Sequence, residues 1–169
     1  TQRVTRNDLA RAMPPSPLIP PWPQPGAVRA EGVLAASAGG EAMELHAQRA
    51  LYWPGGRTLF VADLHLGKGA TFRAAGVALP RGATANDLAR LDVLLERTRA
   101  ATLCVLGDFL HAAAGRVEAL DRAVTAWRAT HESLDVVLVR GNHDLHAGDP
   151  PLSWRVRVVA EPHALPPFL

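Results

Sequence analysis

Three short stretches hold the side chains that could do chemistry: "ADLH" at 62–65, "LGDFLH" at 106–111 and "RGNHD" at 140–144. They supply the carboxylates of Asp63, Asp108 and Asp144, the imidazoles of His65, His111 and His143, and the amide of Asn142. Carboxylate, imidazole and amide oxygen make a mixed oxygen and nitrogen donor set. Such a set suits Mn, Fe, Zn or similar divalent ions better than thiol-seeking ones. The one cysteine, Cys104, excludes an intrachain disulfide and a thiolate zinc cage. Within "ATLCVLG" it reads as a small buried hydrophobe. A carboxylate such as Asp108 can bridge two ions, and ions about 3.5–4 Å apart clamp both oxygens of a phosphoryl displacement. Taken singly, Asp-x-His is a common cap or surface pair and Gly-Asp a common turn. "GNHD" is rarer, because a turn has no use for an imidazole between an amide and a carboxylate.

Each stretch follows an apolar run, in "TLFVADLH" (58–65), "TLCVLGDFLH" (102–111) and "LDVVLVRGNHD" (134–144). Continuous rather than alternating hydrophobicity predicts strands covered on both faces. Between the runs lie helical patterns. "TANDLARLDVLLERTR" (84–99) spaces Leu88, Leu91 and Leu95 three and four apart, with Thr84 or Asn86 as cap. "RVEALDRAVTAWRATH" (116–131) puts Val117, Leu120, Val124 and Trp127 on one stripe. Strand and helix in alternation predict an α/β fold with a parallel sheet. Ligands of such sheets sit beyond the C-terminal ends of the strands. That edge gathers all three stretches, with Asp63 and His65 expected on one side of a strand end because side chains alternate there. Gly107 and Gly141 let the backbone turn and come close to an ion.

The rest of the chain bounds the reading. Its 169 residues suit one domain. "MPPSPLIPPWPQPG" places seven prolines between Pro14 and Pro25, which blocks regular packing. Residues 1–42 are therefore expected to form a proline-rich, disordered tail, with Trp22 in it, and Met43 to open a patterned region over 43–169. No apolar run approaches the roughly 20 residues that cross a bilayer, and no signal-peptide core is seen, so the cytoplasm is the expected compartment. The formal charge is +2, with Lys68 the sole lysine among 18 basic residues. A nucleic-acid partner is permitted by this balance and not demonstrated by it. Lys68, Arg73 and His111 stand close enough in sequence to the three stretches to meet a substrate phosphate. Tyr52 and Trp53 flank the turn "YWPGG", and His46 and His131 read as surface positions.

The order Asp-x-His, Gly-Asp, Gly-Asn-His-Asp resembles the calcineurin-like metallophosphoesterase superfamily. The resemblance implies a β-sandwich flanked by helices around two divalent ions, Mn first, with Fe, Zn or Mg as others. It implies Asp63 and His65 as ligands of one ion, Asp108 as the bridge and Asn142 as a ligand of the second. His143 would protonate the leaving group or steady the phosphate, and Asp144 would orient His143. A narrower likeness runs through "ALYWP" (50–54), "LFVADLHLGKGATFRAAGVALPRG" (59–82) and "AEPH" (160–163). Over residues 43–169 these are similar to the bacterial ligase-associated DNA-damage-response endonucleases. That likeness implies metal-dependent phosphodiester hydrolysis on DNA, with repair proteins such as a ligase or helicase as partners. Two alternatives stand beside it: the same chemistry on a small nucleotide or phosphomonoester, and a non-enzymatic metal-binding or interaction module. One departure is large. The superfamily's Gly-His-x-His does not occur, and after His143 the histidines are His146 and His163. His163 precedes an apolar run instead of ending one, so it is not expected to replace a missing ligand. The chain is expected to be an N-terminal portion of the domain, with a bare apolar sheet face and a single well-held ion.

Overall fold

The apolar runs become strands and the leucine stripes become helices in a computed structural model, which describes residues 28–30, 32–80 and 82–168. Among the described residues eight strands form one mixed sheet in chain order: β1 (Val28–Ala30), β2 (Val33–Ala38), β3 (Glu41–His46), β4 (Ala50–Trp53), β5 (Thr58–Val61), β6 (Thr102–Leu106), β7 (Asp135–Val139) and β8 (Val156–Val159). Pairing is antiparallel from β1 to β5 and parallel from β5 to β8. The expected parallel unit is thus present. In its register Val61 meets Val105 and Val105 meets Leu138. The three strands therefore end at one level, which puts the three polar stretches on one edge.

Among the described residues four α-helices accompany the sheet: α1 (Lys68–Ala74), α2 (Ala83–Thr98), α3 (Glu118–Thr130) and α4 (Asp144–Ala147). Leu88, Leu91, Leu94 and Leu95 of α2, with Leu120, Val124 and Trp127 of α3, cover Leu59, Val61, Leu103, Val105, Val136 and Leu138. Each of these side chains contributes about 1.5–3 kcal/mol by leaving water. Polar ties fix the helices. Trp127 Nε1 donates to Asp92 at 2.5 Å across α2 and α3. The buried Arg128 donates to the carbonyls of Trp154, His131 and Leu134.

Several expectations are corrected. Residues 28–30 and 33–42 belong to the sheet and not to a tail: β2 pairs with β3 from Val33↔His46 to Ala38↔Glu41. A small-residue strand is held here by the ladder of its neighbour, which composition does not reveal. Trp22 and residues 1–27 lie outside the described residues. Val117 is exposed and precedes α3, so the stripe begins at Leu120. Neither Thr84 nor Asn86 caps α2; Gly82 takes that place, with no side-chain bond. Lys68 and Arg73 lie on α1. His46 is buried beside Glu44, 3.3 Å away, and is not a surface position. Tyr52 and Trp53 end β4 beside the turn, as expected, and are buried. β8 continues the parallel unit and was not expected.

The second sheet face was expected bare. Phe60 and Cys104 are buried on it with Met43 and Trp53, and Leu165 and Phe168 pack against them. Trp53 and Phe168 meet edge to face, with ring centres 5.0 Å apart. Toward the strand ends this face opens, at the half-exposed Leu106. Burial pushes the Cys104 thiol up to about 11, as suits a small hydrophobe. No second sheet occurs among the described residues, and none of their helices is long and apolar enough to cross a membrane.

Candidate metal centre

Beyond Val61 and Leu106 the chain leaves the sheet and turns sharply. Asp63, His65 and Asp108 bring one ligand atom each within 4.8 Å of one another. His65 Nε2 stands 3.9 Å from Asp63 Oδ1 and 3.9 Å from Asp108 Oδ2. These separations are too long for hydrogen bonds. They match ligands arranged around a common ion, since bonds of about 2.0–2.2 Å place neighbouring ligand atoms roughly 3–4 Å apart. His65 Nδ1 is buried and has no hydrogen-bond partner, so this ring is not spent on the protein. Position, distance and donor type all fit a divalent cation.

The backbone shows how the three meet. Asp63, His65 and Asp108 have φ of 54°, 45° and 54°, in the left-handed region. Asp and His enter this region more readily than most residues, yet each such turn still costs of order 1 kcal/mol. The conformation is held by the facing loop: His65 N–H donates to the Asp108 carbonyl at 2.8 Å, Leu66 N–H to Phe109 at 2.9 Å and His111 N–H to Leu66 at 3.0 Å. Strand alternation is therefore not what sets Asp63 beside His65. The strand ends at Val61, and two left-handed turns do the work instead.

Asp144 has a different task from the one expected. It is buried, and its carboxylate accepts three backbone N–H bonds: Asp108 at 2.8 Å, Gly141 at 2.9 Å and Phe109 at 3.0 Å. Both oxygens are used, and neither is bonded to the ring of His143. Asp144 joins the Gly-Asp loop to the Gly-Asn-His-Asp loop instead of orienting an imidazole. The two loops touch at their glycines. A Cβ on Gly107, where φ is 76°, would lie 3.1 Å from the Gly141 Cα, and one on Gly141 3.0 Å from the Gly107 Cα.

Around this core the histidines cluster. His111 and His143 both stand edge-on to His65, with ring centres 5.4 Å and 6.1 Å from it. His111 also stacks on Phe72 at 5.7 Å, a contact that sequence reading missed. Burial holds the His111 pKa below its usual value, and nearby His65, Lys68 and His143 lower it further. Asn142 and His143 are exposed on the same edge. His146 Nδ1 lies 3.1 Å from the Asn142 carbonyl, so His146 bonds within its own loop. Lys68 is exposed and near enough to depress His111. Arg73 turns toward the Pro80 carbonyl, 3.4 Å away. His163 is not among the clustered donors.

Comparison with known proteins follows the same lines. The family model of calcineurin-like phosphoesterases matches residues 56–164. The crystal structure of the nuclease MPE of Pseudomonas putida is similar at 45% identity and a TM-score of 0.71. The match covers 80% of this chain and 63% of that one, so the chain spans less than two thirds of the nuclease. No curated protein sequence matches.

Proposed function

The chain belongs to the calcineurin-like phosphoesterase family, and from that premise we propose that it serves metal-dependent hydrolysis of phosphodiesters in nucleic acid, DNA first. The observation that carries this reading is the convergence of Asp63, His65 and Asp108 at the sheet edge. In this reading Asp63, His65 and Asp108 would hold one divalent ion, and Asp108 and Asn142 would be the donors offered to a second. Mn is the first choice, and Fe, Zn or Mg share the donor preference. A divalent ion there supplies Lewis acidity, drawing charge from a phosphoryl oxygen. His143, exposed beside His65, gives a proton to the leaving oxygen. His111 offers a ring N–H to the phosphate, and Lys68 a positive charge.

Openness favours a polymer over a small molecule. The Asp63 side chain is 71% exposed. Small-ligand sites bury most of their ligand, whereas a strand can lie across an open edge. The 45% identity to a nuclease supports the same substrate class. A place in DNA repair beside a ligase or helicase rests on the resemblance in the sequence, and a cytoplasmic location on the expectation drawn from its apolar runs.

The test is cleavage of single-stranded and duplex DNA, and of a small phosphodiester, by metal-stripped protein with and without added Mn²⁺. Cleavage is expected only with the ion. Asp108→Asn should lower it at least about 100-fold and cost more than Asp63→Asn, because the Asp108 side chain is 16% exposed against 71% for Asp63. Undiminished cleavage in excess chelator overturns the proposal.

A further inference from the structure

Asn142 and His143 ride on a loop whose two ends are joined by an ion pair that no step above uses. Arg140 leaves β7 with its N–H on the Val159 carbonyl at 2.9 Å. Its guanidinium then grips Asp149 in bidentate fashion, Nη2 to Oδ2 at 2.7 Å and to Oδ1 at 2.8 Å, with Nε to Oδ1 at 3.1 Å. Between these ends the chain makes one short helix and returns at Gly148, where φ is 78° and the N–H bonds the Asp144 carbonyl at 2.9 Å. Inside the loop, Asp144 and Ala147 are buried and anchor it from below. Asn142 and His143 face outward on the remaining turn. The loop thus has a buried floor and a closed neck.

We propose that the Arg140–Asp149 pair is a positioning clamp for Asn142 and His143. This rests on the function proposed above. A bidentate guanidinium–carboxylate pair fixes orientation as well as distance, which a single contact does not. Arg140 has both Nη2 and Nε committed to Asp149, so it is not set up to receive a substrate phosphate. Lys68, by contrast, is exposed, and no hydrogen bond of its side chain is seen. Residues that brace a ligand-bearing loop typically change activity by about 10–100-fold when removed. A half-exposed ion pair adds only about 0–1 kcal/mol to global stability. The clamp should therefore show in the loop and in turnover, and hardly in melting.

The experiment compares Arg140→Gln, Asp149→Asn and the double variant in the 169-residue chain. Hydrogen exchange of the metal-free protein reads the loop directly. The Gly141 and Ala147 amides should exchange about tenfold faster in each single variant, with no further gain in the double, while amides of α2 and α3 stay unchanged. In the Mn²⁺ assay kcat should fall about tenfold with KM within twofold. Unchanged loop exchange overturns the clamp, as does additivity of the two single effects. A faster loop with undiminished kcat overturns its positioning role, and a raised KM at constant kcat makes Arg140 a substrate contact instead. The exchange measurement needs neither ion nor substrate, so a parent chain that fails to cleave DNA refutes the proposed function without touching the clamp.

Discussion

Asp144→Asn tests how the two ligand-bearing loops are joined. In the parent, Oδ2 accepts from Asp108 and Gly141 at 2.8 and 2.9 Å, and Oδ1 from Phe109 at 3.0 Å. Asparagine brings one acceptor oxygen where three amides converge. Its better orientation keeps the oxygen toward Asp108 and Gly141 and turns the amide nitrogen toward the Phe109 N–H, donor against donor. A hydrogen bond to a charged group is worth about 1.5–3 kcal/mol, and a stranded buried donor costs about 1–3 kcal/mol. The residue is 2% exposed, so water cannot repair the loss. A destabilisation of about 3 kcal/mol follows, a large share of the roughly 5–15 kcal/mol that holds a domain together. For a domain of this size that is roughly 10 °C in Tm. Thermal unfolding of the metal-free chain measures it, with hydrogen exchange at Phe109 as the local reading. A Tm within about 2 °C of the parent, with Phe109 exchange unchanged, refutes the argument.

Two further outcomes are expected. His143→Ala should lower kcat by about 10²–10⁴-fold while bound metal, read by elemental analysis, stays at the parent level; equal metal loss would make His143 a ligand instead of an acid. Cys104, with its thiol raised to about 11 from 9.0, stays protonated in the fold after the unfolded chain has begun to ionise. Its contribution to stability is complete below pH 9 and lost as pH rises from about 9 to 11. Denaturant titrations across that range, against Cys104→Ala, measure it, and a thiol reagent at pH 8 should label the folded chain far more slowly than the unfolded one.

How far the sequence could be read depended on the range of the physics involved. Continuous apolar runs specify buried parallel strands, and β5, β6 and β7 appear where "TLFV", "TLCVL" and "DVVLV" stand. Leucine spacing likewise placed α2, with Leu88, Leu91 and Leu95 buried. The site's location followed from topology alone, because parallel strands in register must end together. What failed was whatever depends on contacts distant in sequence. β2 is poor in large hydrophobes and exists because β3 supplies its ladder. His46 looked like a surface residue because nothing local says that its side of β3 is buried. The role of Asp144 was misread for the same reason: its partners at 108 and 109 lie 36 and 35 residues away. The stacking of Phe72 on His111 has no periodic signature at all.

The same distinction explains why the candidate centre is built as it is. Strand ends alone would leave Asp63 and His65 in extended backbone, with the pleat setting where each side chain points. Left-handed turns at Asp63, His65 and Asp108 instead draw three side chains onto one point. Three such turns cost about 3 kcal/mol together. That cost persists only if the surrounding structure over-determines the geometry, and two devices do so. The backbone bonds between the first and second loops, with the bridge of Leu66 to Leu110, lock the turns to each other. Asp144 then locks the second loop to the third through buried amides. Its three charge-assisted bonds, at about 1.5–3 kcal/mol each, are enough to offset the strain they oppose. Loosening Asp144 should therefore release Asp108 toward ordinary backbone before it unfolds the sheet. On this reasoning Asp144→Asn weakens cation binding at Asp63, His65 and Asp108 at temperatures where circular dichroism still shows the strands intact. Calorimetric titration of Mn²⁺ at 25 °C reads this directly, and an unchanged affinity would mean that the turns at Asp63, His65 and Asp108 hold their shape without Asp144.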